Sequence, residues 1–109
     1  MKMLTLPMTV TDWAEIDPTE HPGDTGVALW RTRTFGDMRV RMVEYSPGYA
    51  ANHWCSKGHV LLCLEGSLDV RLKDGTLKCL KPGQSYHVGD DDPGHRSSTA
   101  SGAKLFIVD

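Results

Sequence analysis

The stretch HVLLCLEGSLDVRLKDGTLKCLKPGQSYHV, residues 59–88, decides the fold. Turn signals at Gly66, Asp74-Gly75 and Pro82-Gly83 divide it, because these residues supply the positive or fixed φ that tight turns need. The segments between the turns are apolar or alternate between apolar and polar residues, and none is long enough for an amphipathic helix. The stretch therefore predicts a series of short strands joined by tight turns.

The same pattern continues on both sides of this stretch. VALWRTRTF, MRVRMVEY and KLFIVD have strand length and β-type composition, and turn signals bound them. Only VTDWAEIDPTEH near the start is compatible with a helical turn, which Pro18 would end. Many short strands with frequent glycine and proline turns are typical of an antiparallel sandwich or barrel. At 109 residues the chain fits one domain, and we predict that it is all-β.

Composition excludes several classes of function. Twelve Lys and Arg against 14 Asp and Glu give a net charge of −2, so there is no broad basic surface to neutralise phosphates, and we expect no nucleic-acid partner. No window approaches the roughly 18 apolar residues of a membrane-spanning helix, and residues 1–13 lack a signal-peptide core. Three unevenly spaced cysteines do not form a disulfide framework. We expect a cytoplasmic protein with reduced thiols and no membrane partner.

Three strong metal donors, His53, Cys55 and His59, lie within seven residues of one another. In a strand, residues i and i+2 share a face, so His53 and Cys55 should point the same way, and a bend at residues 56–58 would let His59 fold back toward them. His95 begins a new strand after a Pro-Gly turn and offers a fourth donor. Imidazole and thiolate suit Zn²⁺, Fe²⁺, Ni²⁺ or Cu²⁺, whereas Ca²⁺ and Mg²⁺ need oxygen ligands.

Other side chains are explained more simply by structure. The alternation MRVRM, residues 38–42, predicts that the three apolar side chains face the core and that Arg39 and Arg41 are solvated; the alternative is an inward arginine pair that binds a substrate carboxylate. Cys63 and Cys79 are expected to be core cysteines. Trp54 is expected to face away from the metal donors and to anchor a sheet or a subunit contact.

Two blocks of the sequence resemble the two motifs of the cupin superfamily. In PGYAANHWCSKGHVLLCLEG, residues 47–66, the first cupin motif HxHx3Ex6G places His53 at the first His, Cys55 at the second His and His59 at the usual Glu. KPGQSYHVGDDDPGH, residues 81–95, is similar to the second motif and ends on His95, with one extra residue.

The resemblance is closer to a bacterial subgroup of small single-domain cupins, the DHCW-motif cupin fold proteins. It extends through DWAEID, VRMVEYSPGY, HWCSKGH, HRSST and GAKLFIVD, with Asn52 where that subgroup's Asp is expected. The resemblance implies a jelly-roll barrel of two antiparallel sheets over residues 27–109, with residues 1–26 as an N-terminal arm packed on the barrel. It also implies a homodimer and a metal at the barrel mouth, held by His53, Cys55, His59 and His95, but no defined reaction.

Two functions remain open from the sequence. In the first, a divalent transition metal (Zn, Fe or Ni) is presented to a small-molecule ligand or substrate, and an open coordination position binds dioxygen, polarises a carbonyl or activates water. In the second, a closed or empty metal site serves a non-catalytic module for ligand binding, sensing or stability. No acidic residue falls at a ligand position, and no phosphate loop, nucleophile elbow or HExxH motif is present, so the sequence names no catalytic residue.

Overall fold

A computed structural model describes residues 5–91 and 94–109 of the protein. Within these residues the chain forms a 3-10 turn at Trp13–Glu15 and nine strands: β1 Thr19–Pro22, β2 Val27–Phe35, β3 Met38–Tyr45, β4 His59–Gly66, β5 Leu68–Leu72, β6 Leu77–Leu80, β7 Ser85–Val88, β8 His95–Ser98 and β9 Ala103–Val108. Strands β2 and β3 have the predicted bounds, and β8 begins at His95 as predicted. Pro93, part of the predicted turn before β8, lies outside the described residues.

The strands form two antiparallel sheets. The larger has the order β1-β2-β3-β9-β4-β7 and the smaller the order β6-β5-β8. The prediction of an all-β domain with two antiparallel sheets is confirmed. The sheets are not closed into a barrel, in contrast to the implied jelly-roll barrel. Residues 81–84 carry the chain from the small sheet to the large one, and β6 and β7 are outer strands of different sheets.

The core lies between the facing surfaces of the two sheets. Period-two alternation places one row of side chains from each strand inside. The large sheet contributes Val43, Leu61, Cys63, Leu105 and Ile107, and the small sheet contributes Leu68, Val70 and Leu80. Burying each large apolar side chain stabilises the fold by about 1.5–3 kcal/mol. Cys63 is fully buried, as predicted for a core cysteine.

The alternation predicted for β3 is wrong about which side chains face the core. Arg41 is buried on the same face as Val43, whereas Met42 is only half-buried on the opposite face. Both faces of this sheet are covered, because Trp13 packs edge-on against Phe106, the cross-strand neighbour of Met42, with the ring centroids 6.4 Å apart. Apolar residues on both faces remove the signal that would distinguish inside from outside.

Cys79 is also placed differently from the prediction. It is exposed, and its Sγ lies 3.0 Å from the Asp69 carboxylate oxygen. β6 is an outer strand that buries only Leu80, so its other side chains have no second layer to pack against.

The segment before β2 contacts the large sheet at several points. β1 pairs with β2, and the Arg31 side chain donates from Nε to the Ile16 carbonyl at 3.0 Å. A division of the chain at residue 26 stays a prediction. No helix in residues 5–91 and 94–109 is long and apolar enough to cross a lipid bilayer.

We expect Gly66→Ala to destabilise the fold more than Gly75→Ala. Both glycines have positive φ, +76° and +93°, which costs an L-residue about 1–2 kcal/mol. A Cβ on Gly66 would also lie 2.0 Å from the carbonyl oxygen of Gly102, whereas one on Gly75 meets no atom of the described chain within 4 Å. Urea unfolding should show that Gly66→Ala lowers the free energy of unfolding by roughly 1–3 kcal/mol more than Gly75→Ala does. Equal losses for the two variants would contradict this close approach.

Candidate metal site

Three predicted metal donors converge between the sheets. Cys55, His59 and His95 each place one ligand atom within 4.8 Å of the other two. His95 is 2% exposed, and the other two residues are half-buried. Ligands of a four-coordinate ion with bonds of about 2.0–2.3 Å lie roughly 3.3–3.8 Å apart, so small side-chain shifts would complete such a site.

Backbone pairing explains how Cys55 reaches His95. The Cys55 amide donates to the His95 carbonyl at 2.7 Å, and the His95 amide donates to the Cys55 carbonyl at 3.0 Å. Residues directly opposite each other in an antiparallel pair point to the same face. His95 is in turn paired with Leu72 of β5, whose side chain packs on the core, so both donors point inward.

His59 begins β4 and faces His95 from the other sheet. The two Nε2 atoms are 3.2 Å apart, and the Tyr86 hydroxyl lies 2.7 Å from the same His59 nitrogen. Burial, and then the proximity of His95, lower the pKa of His59 to about 4. The ring is therefore neutral near pH 7 and keeps a lone pair, which is the form that binds a metal ion.

An ion-pair network lies behind His59. Asp109 accepts two hydrogen bonds from Arg39, at 2.9 and 3.0 Å, and one from Arg41 at 3.0 Å. Burial alone would raise the pKa of Asp109, but the hydrogen bond from Arg39 and the charges of both arginines outweigh it and lower the pKa below 3.8. The carboxylate is therefore ionised, and its Oδ2 lies 3.8 Å from His59 Nδ1. This arrangement resembles the carboxylate that orients a metal-binding histidine from behind.

The prediction that Arg39 and Arg41 are solvated fails for Arg41. Its side chain is buried, and its guanidinium lies 4.5 Å from the centroid of the Trp30 ring. Burial lowers the pKa of Arg41, although Asp109 opposes this effect. Arg39 is one-third exposed but bonds the same carboxylate. Sequence alternation could not reveal this pairing, because Asp109 lies 68 residues from Arg41 in the chain.

His53 is not brought into the close group. Its side chain is exposed, and its Nδ1 lies 2.8 Å from the Asn52 side-chain oxygen. Residues 52 and 53 form a bend, so the expected strand alternation between His53 and Cys55 does not apply there. Trp54 is 39% exposed and contacts Lys73, rather than anchoring the two sheets. His53 still lines the same cavity as the three donors.

Two cavities meet at the donor group. The first has a volume of about 190 Å³ and contains all three donors, together with Trp30, Tyr45 and Tyr49. The second, of about 610 Å³, lies between β6 and β7 and is lined mainly by apolar side chains. Tyr86 and His95 line both. The larger cavity has the usual size of a ligand pocket, but the smaller one contains all three metal donors.

Comparisons with known proteins identify the fold of the chain. No family model matches the chain, and no curated protein matches it. A cupin domain from Bordetella pertussis is 18% identical and superimposes with a TM-score of 0.60, covering 84% of this chain and 96% of the other. The chain has the cupin fold.

Two further cupin-like structures superimpose more closely. A predicted oxalate decarboxylase from Thermotoga maritima has a TM-score of 0.74 at 14% identity, covering 92% of this chain and 96% of its own. Fe(II)-HppE, solved with an alternative substrate, has a TM-score of 0.75 at 17% identity, covering 94% of this chain but only 60% of the HppE chain. At these identities the likeness concerns the fold.

We expect Asp109→Asn to destabilise the protein by roughly 3 kcal/mol or more, because it leaves two guanidinium groups beside a site that no longer carries negative charge. Glu44→Gln is the matched control: it removes a carboxylate from the more exposed ion pair with Lys104, which should cost no more than about 1 kcal/mol. Urea unfolding of both variants measures the difference. A loss for Asp109→Asn as small as that of the control would contradict the buried network.

Proposed function

We propose that this cupin binds a divalent transition metal through Cys55, His59 and His95 and presents it to a small-molecule ligand. The observation that carries the proposal is the convergence of three ligand atoms within 4.8 Å, on the wall of a cavity, from three separate segments of the chain. His53, which lines the same cavity, is proposed as a fourth ligand that reaches the metal by a movement of its bend.

The donor set selects the class of metal. Two imidazoles and one thiolate favour Zn²⁺, Fe²⁺ or Ni²⁺ over ions that require oxygen ligands. The Fe(II) in the HppE structure supports a metal in this fold in general, without identifying the ion. A bound thiolate lowers the Lewis acidity of the ion and is sensitive to oxygen, so it disfavours an oxygenase reaction.

The coordination number would determine what the site can do. With three protein ligands, an exchangeable position remains for water or a ligand, and the metal then supplies Lewis acidity. The chain supplies the surroundings: Tyr86 places its hydroxyl beside His59, and Asp109 lies behind the same ring. Trp30 and the tyrosines exclude water from one side of the cavity.

The second candidate is a non-catalytic module. The position of His53 on the cavity wall favours it, because a fourth protein ligand would close a tetrahedral site and make the metal structural. In that case the cupin would serve ligand binding, sensing or stability.

The cellular setting is also proposed. Three free cysteines fit a reducing cytoplasm, although they do not identify it. β1 and β7 are the outer strands of the large sheet, and such edges favour pairing with a second copy, as a homodimer would provide. Membership in the DHCW-motif subgroup is proposed on its sequence resemblance alone.

His59→Ala should remove the metal while the sheets stay folded. We expect at least a roughly tenfold loss of zinc affinity, because one of three converging donors is gone. His87→Ala is the matched control, since His87 lies on β7 and is exposed outside the donor group. Elemental analysis of untagged protein after competition with a chelator measures the metal, and circular dichroism checks the fold. Full metal retention in His59→Ala would overturn the proposed site.

Cobalt substitution tests the thiolate and the fourth ligand separately. Cys55→Ser should abolish the thiolate-to-cobalt charge-transfer band, because a hydroxyl does not replace the sulfur donor. His53→Ala should keep that band and shift the visible d–d bands if His53 is the fourth ligand. An unchanged spectrum for Cys55→Ser would remove Cys55 from the ligand set. An unchanged spectrum for His53→Ala would leave a three-ligand, open site.

A further inference from the structure

The cavity that contains the metal donors carries an excess of positive charge. Its wall includes Arg39 and Arg41, whose two charges are opposed by the single carboxylate of Asp109. Lys57 adds a further exposed ammonium group at the mouth. Arg96, the remaining cation of the wall, is neutralised by Asp24. The protein side chains alone therefore favour an anion, and a bound metal ion would strengthen this preference.

Arg41 provides a specific hydrogen-bond donor within this field. Its side chain is 7% exposed, and one terminal nitrogen is occupied by Asp109. Its Nε is buried and has no hydrogen-bond partner in residues 5–91 and 94–109. Contact with the Trp30 ring compensates the charge only in part, because a ring face does not replace an in-plane acceptor. A buried N–H without an acceptor is unfavourable, but water does not reach this nitrogen, so an acceptor atom of a ligand would bond it only after a small shift of the Arg41 side chain.

We propose that the ligand of this cavity is a small organic acid. Its carboxylate group contacts Arg41, and its other end lies beside Cys55, His59 and His95. This inference deepens the proposed metal function and rests on it for the second contact. The cavity volume of about 190 Å³ suits a small organic acid. Lys57 attracts the anion at the mouth.

The shape of the donor favours a carboxylate over other anions. A guanidinium presents its N–H groups in one plane, and Arg41 already bonds one planar carboxylate, that of Asp109. A tetrahedral phosphate would need donors on several sides, whereas the neighbours of Arg41 on the same face of the large sheet include the apolar side chains of Ile107 and Leu61. The apolar surface suits the short carbon chain of an organic acid.

The test compares propanoate with propanamide, which has the same shape and number of non-hydrogen atoms but no charge. Amide chemical shifts are followed by NMR during titration of each compound into the metal-free and the zinc-loaded protein. We expect propanoate to bind at least roughly tenfold more tightly than propanamide in both forms, since propanoate forms an ion pair with the guanidinium that the uncharged amide lacks. Shift changes should be centred on β3 around Arg41.

Arg41→Lys keeps the charge but removes Nε, and it should weaken propanoate binding roughly tenfold without changing propanamide binding. Arg71→Lys is the matched control, because Arg71 is exposed on β5 and should leave both affinities unchanged. If Arg41→Lys does not fold, Lys57→Ala replaces it: removing this exposed charge should slow association and weaken propanoate binding, most strongly at low salt.

Each outcome separates the ligand from the metal. Equal affinities for propanoate and propanamide, or tighter binding of inorganic phosphate than of propanoate, would overturn the carboxylate even if zinc binds at Cys55, His59 and His95. Discrimination for propanoate in a protein that does not bind zinc would support recognition by Arg41 and overturn the proposed metal function. Unchanged propanoate affinity in folded Arg41→Lys would overturn the role of Arg41.

Discussion

The two backbone hydrogen bonds between Cys55 and His95 are the contact on which the site depends. They join the loop before β4 to the first residue of β8, so that a thiol and an imidazole from distant parts of the chain lie side by side. His59 then approaches from the large sheet, with its Nε2 3.2 Å from that of His95. The donor group thus lies between the two sheets and includes residues from both. It connects sheets that are not closed into a barrel. A metal bound there would join the two sheets through coordinate bonds and add its binding free energy to folding.

Behind the donors, a buried ion pair constrains the same wall. Asp109, the residue after β9, pairs through its backbone with Arg39 of β3, and its side chain is 1% exposed. Burying such charges is costly, and the cost is offset only when the geometry is good and the remaining hydrogen bonds are made. Here the carboxylate accepts three hydrogen bonds, whereas Arg41 Nε and His59 Nδ1 have none within the described chain.

The sequence was sufficient for most of the strands, although not for β1, and for the convergence of Cys55, His59 and His95, and the reasons are local. Tight turns at Gly66 and Gly75 and short apolar segments fix strand positions independently of tertiary contacts. The inward direction of Arg41 could not be predicted, because it depends on Asp109, 68 residues away, and on Trp13 covering the opposite face. The direction of the His53 side chain could not be predicted, because the i, i+2 rule applies to strands, and residues 52 and 53 form a bend. Asp109 carried no sequence signal, since a single carboxylate after an apolar strand has many explanations.

X-ray absorption at the zinc edge of the zinc-loaded, untagged protein tests the central claim most directly. Coordination by Cys55, His59 and His95 should give one sulfur at about 2.3 Å from the zinc and at least two imidazole nitrogens at about 2.0–2.1 Å. A first shell without sulfur, or one without the scattering signature of imidazole rings, would contradict a metal held between the sheets by Cys55, His59 and His95.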